Sequence, residues 1–287
     1  MIKIMNGRRK YAVLAIIVSL TGLLLFSSPM TANSTTTPSY VLLVHGYSYS
    51  GSASPNYWTG GPNIYQKLVS QGYIVGTVEY YGTFSITYSN GAKFVDTSFS
   101  GDQYTPIENI ANELAKGITS LSQNQAINLN IVVHSMGGLI VLKMLEEYSF
   151  PNVNLKQVIF IATPFNGSPF AELSDILGWA IGYQATEMET GSSFLNDLQN
   201  NVGNAVSNYP STIWTVYAGN YDPWWSFVFG FASNDGVVSV SSATYLGYSY
   251  LYKFNDVHTD GLPTWGTPEL QDSAVANKIV NNLAGSF

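Results

Sequence analysis

The chain has 287 residues, of which 46% are hydrophobic and only 10% charged, and its formal net charge is −7. That acidity argues against a nucleic-acid partner, whose phosphates demand basic patches. There is no cysteine, which removes disulfides, thiolate metal sites and a cysteine nucleophile.

The first segment has the pattern of an export signal. Lys3, Arg8, Arg9 and Lys10 precede an apolar run from Tyr11 to Phe26, and a small, polar stretch follows. The run falls short of the roughly 20 residues that span a bilayer. We read 1–32 as an export signal, with an uncleaved N-terminal anchor as the alternative, and 33–287 as the folded domain. Loss of 1–32 leaves 7 basic and 18 acidic residues, net −11. The expected location is secreted or extracytoplasmic.

Tyr40–Val44 is a short continuous apolar run ending at His45-Gly46, which suits a strand buried on both faces. Asn63–Gly72 reads as a helix, and Tyr73–Tyr80 as a second strand. Ile107–Leu121 repeats apolar residues at helix spacing behind Pro106. Leu129–Val133 is a strand, Gly137–Tyr148 a helix, and Gln157–Ala162 the next strand. Ile213–Ala218 and Ser249–Phe254 read as further strands, and Glu269–Leu283 as a closing helix. Strands alternating with helices predict a mostly parallel central sheet flanked by helices. The interval 168–210 breaks the rhythm. Leu173, Ile176, Leu177, Ala180 and Ile181 make one apolar helix face there. We expect a helical lid insertion that covers the serine and opens on a lipid surface, with ordinary core packing of that face as the alternative.

The chemistry centres on His134-Ser135-Met136-Gly137-Gly138, where a strand runs straight into a serine and two glycines. Parallel sheets present their sites at the carboxyl ends of strands. A serine lifted there on a tight strand–turn–helix corner is a nucleophile elbow, G-x-S-x-G, with Val133 at the first glycine position. The chain has three histidines. His134 adjoins the serine and is expected to point away along the strand. His45, with Gly46, is placed to shape the oxyanion loop. That leaves His258 as the base of Ser135. An orienting acid is expected between them in the chain, and Asp222 and Asp235 are both candidates, with Asp235 preferred. Backbone N–H groups of Tyr47 and Met136 are the expected oxyanion donors. Trp224, Trp225 and Phe227 are expected, with His45 and Gly46, to line the substrate cleft, with packing of the aromatic segment beneath the lid as the alternative.

Val44-His45-Gly46, the His134–Gly138 block, Ala162-Thr163-Pro164-Phe165-Asn166-Gly167-Ser168, Asn234-Asp235-Gly236-Val237-Val238 and His258 together resemble the secreted bacterial lipases of the α/β-hydrolase superfamily. The resemblance implies the α/β-hydrolase fold, a triad of Ser135, Asp235 and His258, and hydrolysis of carboxylic esters such as acyl-glycerols without a cofactor. It also raises a structural calcium, with Asp260 at one ligand position and Asp222 as a further carboxylate. Short-chain esters, polyesters and amides are alternative substrates on the same fold, and a non-catalytic binding protein is the rival from another class.

Overall fold

A computed structural model of the chain describes residues 37–48, 51, 56–172, 182–259 and 266–287. Residues 1–32, expected to be an export signal, the apolar run Leu173–Ile181 and Asp260 lie outside the described residues. Eight strands form one sheet: β1 (Ser39–Val44), β2 (Ile74–Glu79), β3 (Gly82–Tyr88), β4 (Lys93–Gly101), β5 (Ile127–His134), β6 (Val153–Ile161), β7 (Ile213–Gly219) and β8 (Tyr250–Phe254). Their spatial order is β4-β3-β2-β1-β5-β6-β7-β8. Every neighbouring pair is parallel except β2–β3 and β3–β4.

Among the described residues the five longer helices are α1 (Ile64–Ser70), α2 (Ile107–Ser122), α3 (Met136–Glu147), α4 (Ser193–Asn208) and α5 (Ser273–Leu283). The β1 run is apolar throughout because helices cover both of its faces. Tyr40, Leu42 and Val44 join the core beneath α2, α3 and α4. Val41 and Leu43 face the opposite way, into the core beneath α1 and α5. Successive side chains of a strand point to opposite faces, so a centrally placed strand needs an apolar residue at every step.

Three features differ from the sequence expectations. Residues 81–106, passed over in the sequence reading, form the β3–β4 hairpin at one sheet edge. Its turn is built by Asn90-Gly91, with Gly91 at φ +86 and the Asn90 side chain accepting the Ala92 N–H. The later part of the supposed lid is the flanking helix α4, capped by Ser192 and buried through Leu195, Leu198 and Ala205. Its Asp197 binds Lys143 of α3. The closing helix starts later than expected. The Asp272 side chain accepts the Ala274 N–H and caps α5, leaving Glu269 in a separate 3₁₀ turn. Among the described residues no helix is long and apolar enough to cross a membrane.

One residue of α3 is placed at a cost. Glu146 is only 6% exposed and neither carboxylate oxygen has a hydrogen-bond partner. Lys143 is nearby but is engaged by Glu147 and Asp197. Burial pushes the Glu146 carboxyl up to about 8. Burial likewise raises Glu187 and Asp256, each to about 7. A carboxyl that binds its proton more tightly folded than unfolded stabilises fully below the unfolded value, near 4.5, and loses that contribution as pH rises through the folded one. The melting temperature should therefore fall between about pH 5 and pH 8. Glu146→Met should raise it at pH 8 by roughly 4–8 °C, about 2 kcal/mol, and by much less at pH 5. Thermal scans at the two pH values test this; an equal gain at both pH values contradicts it.

Candidate active site

The corner between β5 and α3 is strained at one residue. Ser135 has φ +53 and ψ −131, a region that L-residues avoid. Its N–H bonds the Ile161 carbonyl at 2.8 Å, and its own carbonyl accepts the Gly138 N–H at 3.0 Å. The glycines that follow are dictated by packing. A Cβ at Gly137 would drive into the His45 carbonyl, and one at Gly138 into the Thr163 side chain. On the other side, a Cβ at Gly46 would stand 2.7 Å from Ser135 Cβ. The elbow is thus wedged between the turn after β1 and the Ala162–Ser168 segment after β6. Val133, where the motif has glycine, is fully buried in the core and leaves this arrangement intact.

His258 stands between the serine and an acid. Its Nε2 lies 2.9 Å from Ser135 Oγ, and its Nδ1 lies 2.8 Å from Asp235 Oδ2. All three side chains are buried. The other Asp235 oxygen accepts the N–H groups of Val237 and Val238, at 2.8 and 2.6 Å. Those two bonds fix the carboxylate plane. The His258 N–H also bonds the Asp235 carbonyl at 3.0 Å, so backbone as well as side chain joins the two loops.

Asp222, the other candidate acid, is built into the loop instead. It sits at φ +54, accepts the Asn234 N–H at 2.7 Å and the Ser233 hydroxyl at 3.1 Å. Trp225 is a correction to the cleft assignment: it is buried, and its indole N–H bonds the Gly236 carbonyl at 3.1 Å. It packs beneath the acid loop. Trp224 and Phe227 are exposed, at 76% and 57%, and Phe231 stands beside them in sequence at 83%.

The turn after β1 is held by tyrosines. The Tyr80 hydroxyl lies 2.8 Å from the His45 carbonyl and 2.7 Å from that of Gly46. The Tyr57 hydroxyl accepts the Gly46 N–H at 2.9 Å, and the Tyr81 hydroxyl accepts the Ser48 N–H at 2.9 Å. His45 stacks on Tyr80 with ring centroids 3.9 Å apart, and its Nδ1 bonds the Gly46 carbonyl. Tyr47 is therefore flanked by two amides already taken. Met136, on the opposite wall, is the first residue of α3, where the helix dipole presents its positive end.

His134 does not point clear of the site. Its ring lies 4.6 Å from that of His258, its Nδ1 is 2.6 Å from the Tyr57 hydroxyl, and its Nε2 is 3.5 Å from Glu269 Oε2. Burial, and then the neighbouring His258, push its imidazole well below the usual value, so it is neutral. Burial, then Asp235 and Asp256, push the Glu269 carboxyl well above the carboxylate range. His134, His258 and Glu269 have ligand atoms within 4.8 Å of one another. Both His258 nitrogens already have partners, and Glu269 is held toward its neutral form, so this set does not fit a cation as it stands. Asp222 spends both carboxylate oxygens inside its loop, which leaves little for a calcium ion.

Tyr57, Tyr80, Tyr81 and Glu269 escape the sequence reading. Tyr80-Tyr81 does carry a signal: the pair closes β2, whose Val78 is in register with Val44 of β1. That puts the two rings beside His45-Gly46.

An eight-stranded sheet of this order, with a strained serine at the end of its central strand and a histidine and acid on later loops, is an α/β-hydrolase fold. Residues 68–207 match the family described as "Alpha/beta hydrolase of unknown function (DUF915)". No curated protein matches the chain. Among solved structures, phospholipase PlaB from Legionella pneumophila in complex with thio-NAD is similar at 15% identity and a TM-score of 0.59, over 87% of this chain and 62% of that one. The chain thus spans under two thirds of the length of that phospholipase. Lipase BlEst2 from Bacillus licheniformis in its mature form is similar at 18% identity and a TM-score of 0.54, over 89% of this chain and 93% of that one. At such identities the likeness is one of fold.

Proposed function

We propose that the protein is an exported serine hydrolase that cleaves carboxylic esters with apolar acyl chains, as a lipase does. The observation that carries this reading is the unbroken line from Asp235 through His258 to Ser135, with spacings of 2.8 and 2.9 Å. The export segment at 1–32 supports action outside the cytoplasm.

In this scheme His258 Nε2 takes the Ser135 proton as Oγ attacks the ester carbonyl carbon. Asp235 holds the proton on Nδ1 and stabilises the imidazolium. The N–H groups of Tyr47 and Met136 receive the oxyanion. The tetrahedral adduct collapses, His258 returns the proton to the departing alcohol, and an acyl-Ser135 ester remains. Water, deprotonated by His258, repeats the sequence and frees the acid. The exposed aromatics Trp224, Phe227 and Phe231 favour apolar substrates. The apolar run Leu173–Ile181 is proposed as the cover of the site, and α4 is excluded from that role by its packing on α3. Both similar proteins are named for ester hydrolysis, one a phospholipase and one a lipase.

The test is hydrolysis of p-nitrophenyl esters from two to sixteen carbons. We expect kcat/KM to rise by at least about tenfold from the shortest acids to those of eight carbons or more. A preference for two to four carbons keeps the triad and makes the protein a short-chain esterase. Activity on no ester overturns the proposal.

A further inference from the structure

We propose that Tyr57 is a positioning residue for the oxyanion turn, acting by tying that turn to the nucleophile elbow through His134. The inference rests on the ester-hydrolase reading above and adds a residue on which its rate depends. The Tyr57 hydroxyl accepts the Gly46 N–H at 2.9 Å and is hydrogen-bonded to His134 Nδ1 at 2.6 Å. One hydrogen-bonded chain thus runs from the turn after β1 to the residue preceding Ser135.

Each end of this chain meets part of the reacting constellation. At one end Gly46 directly precedes Tyr47, one of the two proposed oxyanion donors. At the other end His134 is covalently next to Ser135, and its ring lies against that of His258. The other bonds on the turn hold it to β2 and its exit: Tyr80 grips two carbonyls and Tyr81 the Ser48 amide. Tyr57 alone among these hydroxyls reaches the elbow. A peptide N–H stabilises an oxyanion only from the right place, and an error near 1 Å costs on the order of 100-fold. The turn and the elbow follow the neighbouring strands β1 and β5, whose pairing ends at Val44 and Val133, and the Tyr57 bonds join them beyond that point.

Tyr57→Phe keeps the ring and removes the link. We expect kcat for a soluble p-nitrophenyl ester to fall about 10–100-fold with KM within threefold, and the midpoints of the pH–rate profile to stay put. Labelling of Ser135 by a fluorophosphonate, which also develops an oxyanion, should slow by a similar factor. Tyr209→Phe is the control. It too loses a buried hydroxyl that accepts one N–H, from Phe150, and donates to one carbonyl, of Tyr148. It should leave kcat within twofold. A Tyr57→Phe protein with kcat and labelling within twofold of wild type overturns the inference, as does a loss confined to KM. If Tyr57→Phe fails to fold, His134→Gln breaks the same link from its other end, and the same thresholds apply. A wild type that neither labels nor cleaves any ester overturns the functional reading and this inference together. A labelled, active wild type with an unaffected Tyr57→Phe overturns this inference alone.

Discussion

Ser135→Ala should lower kcat/KM for every cleaved ester by at least about 10³-fold, without lowering the melting temperature. The rate loss follows from removing the hydroxyl oxygen placed 2.9 Å from His258 Nε2; triads stripped of their nucleophile lose rate on this scale and keep only what the oxyanion donors and binding supply. The stability expectation comes from the backbone. Ser135 is held at φ +53 and ψ −131, which costs of order 1–3 kcal/mol and serves only to aim the hydroxyl. Ser135→Gly, with no Cβ, relieves that strain and should melt at or above the wild-type temperature while being equally inactive. The measurement is a pair of steady-state assays beside thermal scans of wild type, Ser135→Ala and Ser135→Gly. Wild-type turnover in either variant would remove Ser135 from the mechanism. A Ser135→Gly protein melting well below wild type would show that the serine is kept for structure.

How much of this site was readable in the chain depends on how local each signal is. The elbow is local: five consecutive residues state both the turn and the glycines that neighbours require. His258 followed by elimination, because the chain offers three histidines and two of them sit where a base does not belong. The sheet was legible wherever both faces are buried: Tyr40–Val44 of β1 is a continuous apolar run, and β5 becomes one over Ile131–Val133. The β3–β4 hairpin was written in the alternation Phe84, Ile86, Tyr88 and in Asn90-Gly91. What stayed hidden is long-range. Tyr57 meets His134 across 77 positions, and nothing near residue 57 distinguishes it from the other tyrosines of a chain with 20 of them. His134 was misread because alternation gives the face of a strand and says nothing of what a distant loop brings to that face. Glu269 was assigned to a helix because the 3₁₀ turn before it is separated only by the Asp272 cap.

The choice of acid gives the second large effect. Asp235→Asn should cost about 10³–10⁴-fold in kcat, whereas Asp222→Asn should cost less than about fivefold. The two aspartates lie on one loop, and the same chemical change does opposite things to them. At Asp235 the carboxylate oxygen facing His258 Nδ1 must accept the Nδ1–H hydrogen bond and carry charge. An amide there presents either a nitrogen, which repels the Nδ1 proton and turns the imidazole to its other tautomer, or an oxygen without the charge that stabilises imidazolium. In the first case Nε2 carries the proton and can no longer take one from Ser135. At Asp222 the job is to accept the Asn234 N–H through Oδ1 from a backbone at φ +54. Asparagine keeps that acceptor and tolerates the left-handed region about as well as aspartate does. What it gives up is charge on a bond to an exposed serine hydroxyl. Steady-state assays of the two variants, with melting temperatures to confirm that both fold, decide the matter. A large loss in Asp222→Asn with a small one in Asp235→Asn would mean that the two acids exchange roles when substrate binds, and the line from Asp235 to Ser135 would no longer describe the working enzyme.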